Sequence, residues 1–370
     1  MIVPELVWPI ALALAVIIQL CYYLFIFSKF AFHKPPLKTA SQQYPVSVII
    51  CARDEAGNLS RNLPGVLVQD YPTTHEIIVV NDNSTDESKY VLEGFQQHFK
   101  NLIVVPLKQE AIHIPGKKFP LSVGIKSAKN EVLLLTDADC MPASEHWIFK
   151  MQDGYTPSTD VVLGYGAYSR KKGLLNKLVR FETFHTALQY FSYALAGMPY
   201  MGVGRNLSYK REMFVKNKGF SSISQVPSGD DDLFINMVAR KDNVSIVYEK
   251  DAHTISEPPQ TWKEWFAQKS RHYTTAKYYK PLHKNLLSIF SLVHTLIFPL
   301  TVATAIFYNW QAALGLFLLR FIVQAVIWNK SMKKLNEADL FPYFIFFDIW
   351  LFIYNIIFFP TLLRRPGKKW

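Results

Sequence analysis

Three groups of residues have the types and spacing to do chemistry. Asp137-Ala-Asp139 directly follows the run Val132-Leu-Leu-Leu-Thr136. Residues i and i+2 of a strand share a face, so at a strand end both carboxylates reach one point. Two hard oxygen ligands suit Mg²⁺ or Mn²⁺, which commonly takes substrate phosphates as well; the plainer account is a solvated turn. Gly229-Asp-Asp-Asp-Leu233 opens the amphipathic stretch Leu233 to Ala239. Either a helix N-terminus accommodates the three carboxylates, or their crowding keeps one basic enough to deprotonate a hydroxyl. Gln268-Lys-Ser-Arg271-His272 follows the aromatic stretch Trp262 to Phe266. On a helix, 268, 271 and 272 share a face. There Arg271 can pair with diphosphate oxygens and Gln268 can hydrogen-bond a sugar; the bland alternative is a solvated helix face.

The elements that must position these groups alternate. Val46–Cys51, Glu76–Val80, Leu102–Val105 and Val132–Thr136 are short apolar runs that predict buried strands. Asn58–Gln69, Asp86–Phe99 and Leu121–Lys129 read as helices between them. Such alternation predicts an α/β domain with a mostly parallel sheet. Arg53 with Glu55, then Asp82, then Asp137 with Asp139 follow successive strands, and ligands of open α/β sheets bind beyond those ends. Between Arg170 and Gly204, Leu174, Leu175, Leu178, Phe181, Phe184, Leu188 and Phe191 recur at helical spacing. That stretch reads either as core or as a helix resting among lipid headgroups.

The apolar residues concentrate at the two ends of the 370-residue chain. Leu6–Phe30, Leu286–Tyr308, Ala312–Trp328 and Leu340–Pro360 are each long enough to approach a membrane span. This divides the chain into an N-terminal span (1–33), a central domain (34–284) and a C-terminal membrane region (285–370) with two to three spans. Leu340–Pro360 holds Pro342, Asp348 and Asn355, which leaves spanning, re-entrant and interfacial courses all open. The formal charge of +11 clusters beside these segments, at Lys330, Lys333, Lys334 and Arg364–Lys369, so an anionic membrane surface is expected as partner and nucleic acid is not. Lys29 and Lys34 put the central domain in the cytoplasm by the positive-inside rule. If all four segments span, the Arg364–Lys369 cluster lands on the opposite side, against that rule. The scattered Cys21, Cys51 and Cys140 need no disulfide.

Taken together, the pieces resemble the GT-A glycosyltransferases of family 2, the group containing cellulose, hyaluronan and poly-N-acetylglucosamine synthases and ceramide glucosyltransferases. The carrying residues are Pro45-Val-Ser-Val-Ile-Ile-Cys-Ala-Arg-Asp-Glu55, Glu76-Ile-Ile-Val-Val-Asn-Asp82-Asn-Ser-Thr-Asp86, Gly116-Lys117, Thr136-Asp-Ala-Asp-Cys140, Gly204-Arg-Asn206, Gly229-Asp-Asp-Asp232 and Gln268-x-x-Arg271-His272. The resemblance implies that Ala52, Arg53, Glu55 and Asp82 hold the nucleobase, that Lys117 approaches the donor diphosphate, that Asp137 contacts ribose or sugar, and that Asp139 binds the metal. Asn206, Gln268 and His272 would line the acceptor side. The family's base would be Asp231 or Asp232, the following apolar residues favouring Asp232.

Two departures stand out: the family's Glu before the base is Asp here, and its Trp after the Arg is His272, a smaller stacking surface. The implied activity is inverting transfer from a nucleotide-diphosphate sugar, on family habit a UDP-sugar, to a lipid or lipid-linked acceptor at the cytoplasmic face of a bacterial inner membrane. A polysaccharide synthase, working with an oligomeric or accessory membrane partner, is the alternative. A catalytically dead nucleotide-sugar-binding scaffold is a third.

Overall fold

The computed structural model describes residues 4–35, 43–108 and 114–360; the Arg364–Lys369 cluster lies outside them. Strand β1 (Val46–Ala52) is buried at all seven positions. It pairs in parallel with β2 (His75–Asp82) on one side and β4 (Val132–Asp137) on the other, and β3 (Leu102–Leu107) lies outside β2. The chain thus winds outward from β1 and returns to the far side of β1 with β4. That reversal opens a crevice beyond the C-terminal ends of β1 and β4, where the predicted site residues Arg53, Glu55, Asp137 and Asp139 sit. β8 (Leu207–Lys210) runs antiparallel to β4, and β6 (Val161–Leu163) and β9 (Val244–Ile246) complete the order β3-β2-β1-β4-β8-β6-β9. A second small sheet has the order β5-β10-β7, formed by Cys140–Pro142, Thr254–Ser256 and Gly166–Tyr168.

Helix α1 (Val7–Ala31) precedes the sheet; α2 (Ala56–Leu67), α3 (Ser88–His98) and α4 (Lys118–Ser127) connect its parallel strands. The last three match the predicted helices with ends displaced by a few residues. Asp86, expected to be helical, instead accepts from the backbone N–H groups of Ser88 (2.9 Å) and Ala56 (3.0 Å), so α3 starts after it. Further along lie α5 (Trp147–Gln152), α6 (Leu174–Leu195), α7 (Arg211–Lys216), α8 (Asp232–Val238), α9 (Trp262–Tyr273), α10 (Pro281–Phe307), α11 (Trp310–Lys334) and α12 (Phe344–Phe358).

Four helical stretches, Val7–Ala31, Pro281–Phe307, Trp310–Lys334 and Ala338–Phe358, are long and apolar enough to cross a membrane. They do not form a separate unit, for one hydrophobic core runs through them and the sheet domain. The aromatic stretch 174–191 explains this continuity. Its helix α6 is core, with Phe181 stacked on Phe347 of α12 at 4.3 Å, Phe191 on Phe30 of α1 at 5.1 Å and His185 on Phe290 of α10 at 6.0 Å. The headgroup-resting alternative is corrected: the aromatic face is spent on the chain's own helices, and Phe181, Phe184, Leu188 and Phe191 are fully buried.

The breakers in the last apolar segment are all absorbed. Pro342 falls in the 3₁₀ turn Ala338–Tyr343, outside α12. Asn355 donates to the Ser291 carbonyl and the Thr295 hydroxyl of α10. Asp348 takes a two-pronged ion pair from Arg320 of α11, both contacts 2.7 Å, with Gln324 donating to the same carboxylate and Gln19 of α1 accepting from Arg320 Nε. A charge buried among apolar helices is tolerated only when paired and hydrogen-bonded this completely.

Candidate active site

The loop after β1 is held by the segment after β2. Asp54, in the left-handed region at φ 55°, accepts from Thr85 N–H at 2.6 Å and donates its own N–H to the Ser84 hydroxyl. The Glu55 N–H donates to the Ser88 hydroxyl. The Asn-Ser-Thr-Asp motif therefore holds Asp54 and Ala56, the residues that flank Arg53 and Glu55 in the loop. The Arg53 and Glu55 side chains line a cavity of about 1420 Å³. Burial raises the Glu55 carboxyl above its usual range, against a hydrogen bond from Asn58. Ala52 and Asp82 end their strands buried, Ala52 between the cavity-lining residues Cys51 and Arg53.

Asp137 and Asp139 emerge from β4 into the same cavity. Lys117, at the start of α4, pairs with Asp137. Burial raises the Asp137 carboxyl, but the Lys117 ammonium outweighs it and the net shift is downward. Burial and the neighbouring Asp137 raise Asp139. Carboxylate oxygens of Asp137 and Asp139 and the Cys140 sulfur lie within 4.8 Å of one another. The Cys140 thiol donates to Asp139 at 3.3 Å, and burial holds its pKa far above the usual range, so it stays protonated. The available donors are thus two hard oxygens whose mutual repulsion a divalent cation relieves, which fits Mg²⁺ or Mn²⁺.

The acidic cluster is set by three contacts. Lys118, fully buried, donates to the carbonyls of Val226 and Ser228 and fixes the segment leading into the cluster. Asp231 caps α8, its oxygens accepting from the N–H groups of Asp232 and Gly204, both at 2.7 Å. Asp232 points away from the sheet: it accepts from the Thr275 hydroxyl (2.5 Å), the Tyr279 hydroxyl (2.8 Å) and the Leu233 N–H (2.7 Å). Asp230, Asp231 and Asp232 all reach the cavity wall, but Asp232 is spent on tying α8 to the segment before α10. Both base candidates thus stand in the cavity wall, Asp231 held by two backbone N–H groups and Asp232 by two side-chain hydroxyls and one backbone N–H. Burial, with Asp230 and Asp232 alongside, pushes the Asp231 carboxyl up to about 8. Asp232→Ala is expected to cost about 1–3 kcal/mol of stability, because two buried hydroxyls lose their acceptor. Thermal unfolding in detergent checks this; an unchanged midpoint would contradict the tie.

On the far wall, Gln268, Arg271 and His272 of α9 line the cavity as their spacing predicts. Gln268 donates to the Tyr168 hydroxyl of β7 at 3.1 Å. Enclosure, with Lys269, Arg271 and Arg205 nearby, lowers His272 to about 3, so it presents a neutral imidazole. Asn206 is not on this wall. It is fully buried, with its amide engaged by Trp147, Tyr165 and Ala252. Its neighbour Arg205 takes the cavity-facing position, stacked on Tyr168 at 4.2 Å and donating to Ser256 at 2.7 Å. Arg205 was missed because a lone Arg carries no pattern; only its place between Gly204 and Asn206, in a motif already singled out, pointed to it.

Against known proteins, the Glycosyl transferase family 2 model matches residues 47–216 and the Glycosyl transferase family group 2 model matches residues 157–360. The chain belongs to the family 2 glycosyltransferases, enzymes that use nucleotide-sugar donors. It is similar to the probable glycosyltransferase YdaM of Bacillus subtilis, 23% identical over 366 residues that cover 88% of this chain and 84% of that one. It is also similar to a poly-beta-1,6-N-acetyl-D-glucosamine synthase of Staphylococcus epidermidis, 27% identical over 179 residues, 48% of this chain and 42% of the relative. Its fold is that of the mannosyltransferase PcManGT from Pyrobaculum calidifontis, solved in complex with GDP-Man and Mn²⁺: TM-score 0.59, 18% identity, covering 93% of this chain and 98% of that one. Together with the four apolar helices, these likenesses make the chain a membrane-associated GT-A transferase.

Proposed function

We propose that this protein is an inverting, divalent-cation-dependent glycosyltransferase, held by four spans with its sheet domain on the cytoplasmic side, that moves a sugar from a nucleotide-diphosphate donor to a lipid or lipid-linked acceptor. One observation carries the acceptor class. The cavity runs without interruption from Asp137 and Asp139, past Asp231, to Leu292 of α10 and Ile356 of α12, side chains more than half exposed on the outer surface of the apolar helices. An acceptor that lives in the bilayer reaches the acids by that route without leaving it.

The chemistry follows from the walls. Arg53 and Glu55 bound the nucleotide end. Asp137 and Asp139 would hold Mg²⁺ or Mn²⁺, which supplies Lewis-acid compensation of diphosphate charge. Lys117 and Arg271 add fixed positive charge for the leaving diphosphate. Asp231 takes the proton from the acceptor hydroxyl as its oxygen attacks the anomeric carbon opposite the diphosphate. The carbon–oxygen bond to the diphosphate breaks, the anomeric centre inverts, and no covalent enzyme intermediate forms.

The likeness to a polysaccharide synthase supports a second reading, chain extension. Radiolabelled UDP- and GDP-sugars supplied to purified protein in native lipid separate the two. A chloroform-soluble product carrying one or a few sugars is expected. Long chains that stay with the enzyme would overturn the lipid reading, and absence of transfer from every donor would overturn both.

A further inference from the structure

Glu182 of α6 is 5% exposed, yet its carboxylate stands in the cavity wall and has no part in the chemistry above. Its partners come from two other helices. Trp265 Nε1 of α9 donates to Oε2 at 2.9 Å, Lys269 Nζ of α9 lies 3.2 Å from the same oxygen, and Trp350 Nε1 of α12 donates to Oε1 at 3.2 Å. Trp265 and Lys269 are one helical turn apart, and Gln268 and His272 continue that same face. Glu182 therefore grips the side of α9 that presents the acceptor-wall residues. Ring contacts from the apolar helix α12 add to this grip: Phe358 packs on Trp265 at 5.4 Å, on Phe266 at 5.3 Å and on Tyr273 at 5.3 Å.

We propose that Glu182 is a positioning residue: it fixes α9 against α12, and so makes the placement of Gln268, Arg271 and His272 depend on the membrane helix as well as on the sheet contact of Gln268 with Tyr168. An isolated hydrophobic contact would let α9 slide along α12, because ring packing is tolerant of register. Three directional donors converging on one buried carboxylate are not. Burial raises the Glu182 carboxyl while Lys269 and the two indoles oppose the rise, which is the balance of a charge held by its partners.

The test compares Glu182→Gln with Glu182→Gln/Lys269→Met. The amide keeps an acceptor for an indole but turns a donor toward the Lys269 ammonium, stranding a buried charge. Turnover of the single variant is expected to fall about tenfold, the effect of losing one charge-assisted contact, with the midpoint of its pH profile unchanged. The double variant, free of the stranded charge, is expected to return to within about threefold of the parent. Parent turnover in the single variant, a displaced pH midpoint, or a double variant as slow as the single would each overturn the proposal. This arm rests on the transferase reading above. A second arm does not: ¹⁹F spectra of 5-fluorotryptophan-labelled protein in detergent, with Trp265→Phe and Trp350→Phe for assignment. Both resonances are expected to move in Glu182→Gln while that of Trp147, beside Asn206, stays. Unmoved Trp265 and Trp350 signals overturn the positioning role whatever the turnover, and a parent protein that transfers from no donor defeats only the reading of function.

Discussion

Asp231→Asn is expected to lower turnover by about 10²–10⁴-fold, the usual cost of removing a general base, with nucleotide affinity nearly unchanged. The geometry gives the reason. Asp231 accepts one backbone N–H on each oxygen. Asn keeps one acceptor and turns its NH2 toward the other N–H, so the cap weakens by about 1–3 kcal/mol while the proton acceptor is lost, and a thermal unfolding midpoint measured beside the rate separates the two effects. The pH dependence has a definite sign. A base must be deprotonated to act, and crowding pushes this carboxyl up to about 8, so turnover in the parent rises as pH is raised through that value. Asp230→Asn removes one of the neighbouring charges and is expected to move the rise to lower pH. Steady-state rates between pH 6 and 9 for the three proteins check this. Parent-like turnover in Asp231→Asn, or a rise that ignores Asp230, would place the base elsewhere.

Asp139→Asn, like EDTA, is expected to reduce transfer by at least about 10²-fold, since the diphosphate then leaves without its largest compensating charge. Asp139 is raised by burial and by Asp137, so in the absence of a cation the pair is strained by its own charge; neutralising one member relieves this. The variant is therefore expected to be as stable as the parent or slightly more so, which separates the loss of activity from unfolding. Mn²⁺-dependent stabilisation, read by thermal shift with and without nucleoside diphosphate, should be present in the parent and absent in Asp139→Asn. Full activity in EDTA would defeat the metal assignment.

The parallel half of the sheet was legible because β1, β2 and β4 are buried on both faces and carry continuous apolar runs, with polar residues punctuating their C-terminal ends. The antiparallel half was not: β6, β8 and β9 are three or four residues long, too short for any periodicity. The same limit applies within the site. Gln268, Arg271 and His272 were placed by helical spacing, and they do share the cavity wall. Asp231 and Asp232 are adjacent at the start of a helix, where one step of about 100° sends neighbouring side chains to different partners. Which of them meets Thr275 and Tyr279 depends on contacts some 43–47 residues away. Asn206 turns inward and Arg205 toward the cavity for the same reason: the inward neighbour is chosen by Trp147, not by its own identity. The aromatic run of α6 left two readings because periodicity reports an apolar face without saying what covers it.

The ion pair between Arg320 and Asp348 bears on how the chain enters its membrane. On the four-span reading, an Arg at the centre of a lone apolar helix costs about 2.5–3.5 kcal/mol during insertion. The neutralising carboxylate arrives only when α12 has been synthesised, 28 residues later. On that reading helix α11 is expected to be poorly retained in the bilayer by itself, and α11 with α12 to commit as a hairpin. A nascent chain halted before Asp348 would leave α11 hesitating at the interface, so the final helix acts as the latch of biogenesis as well as a wall of the finished cavity.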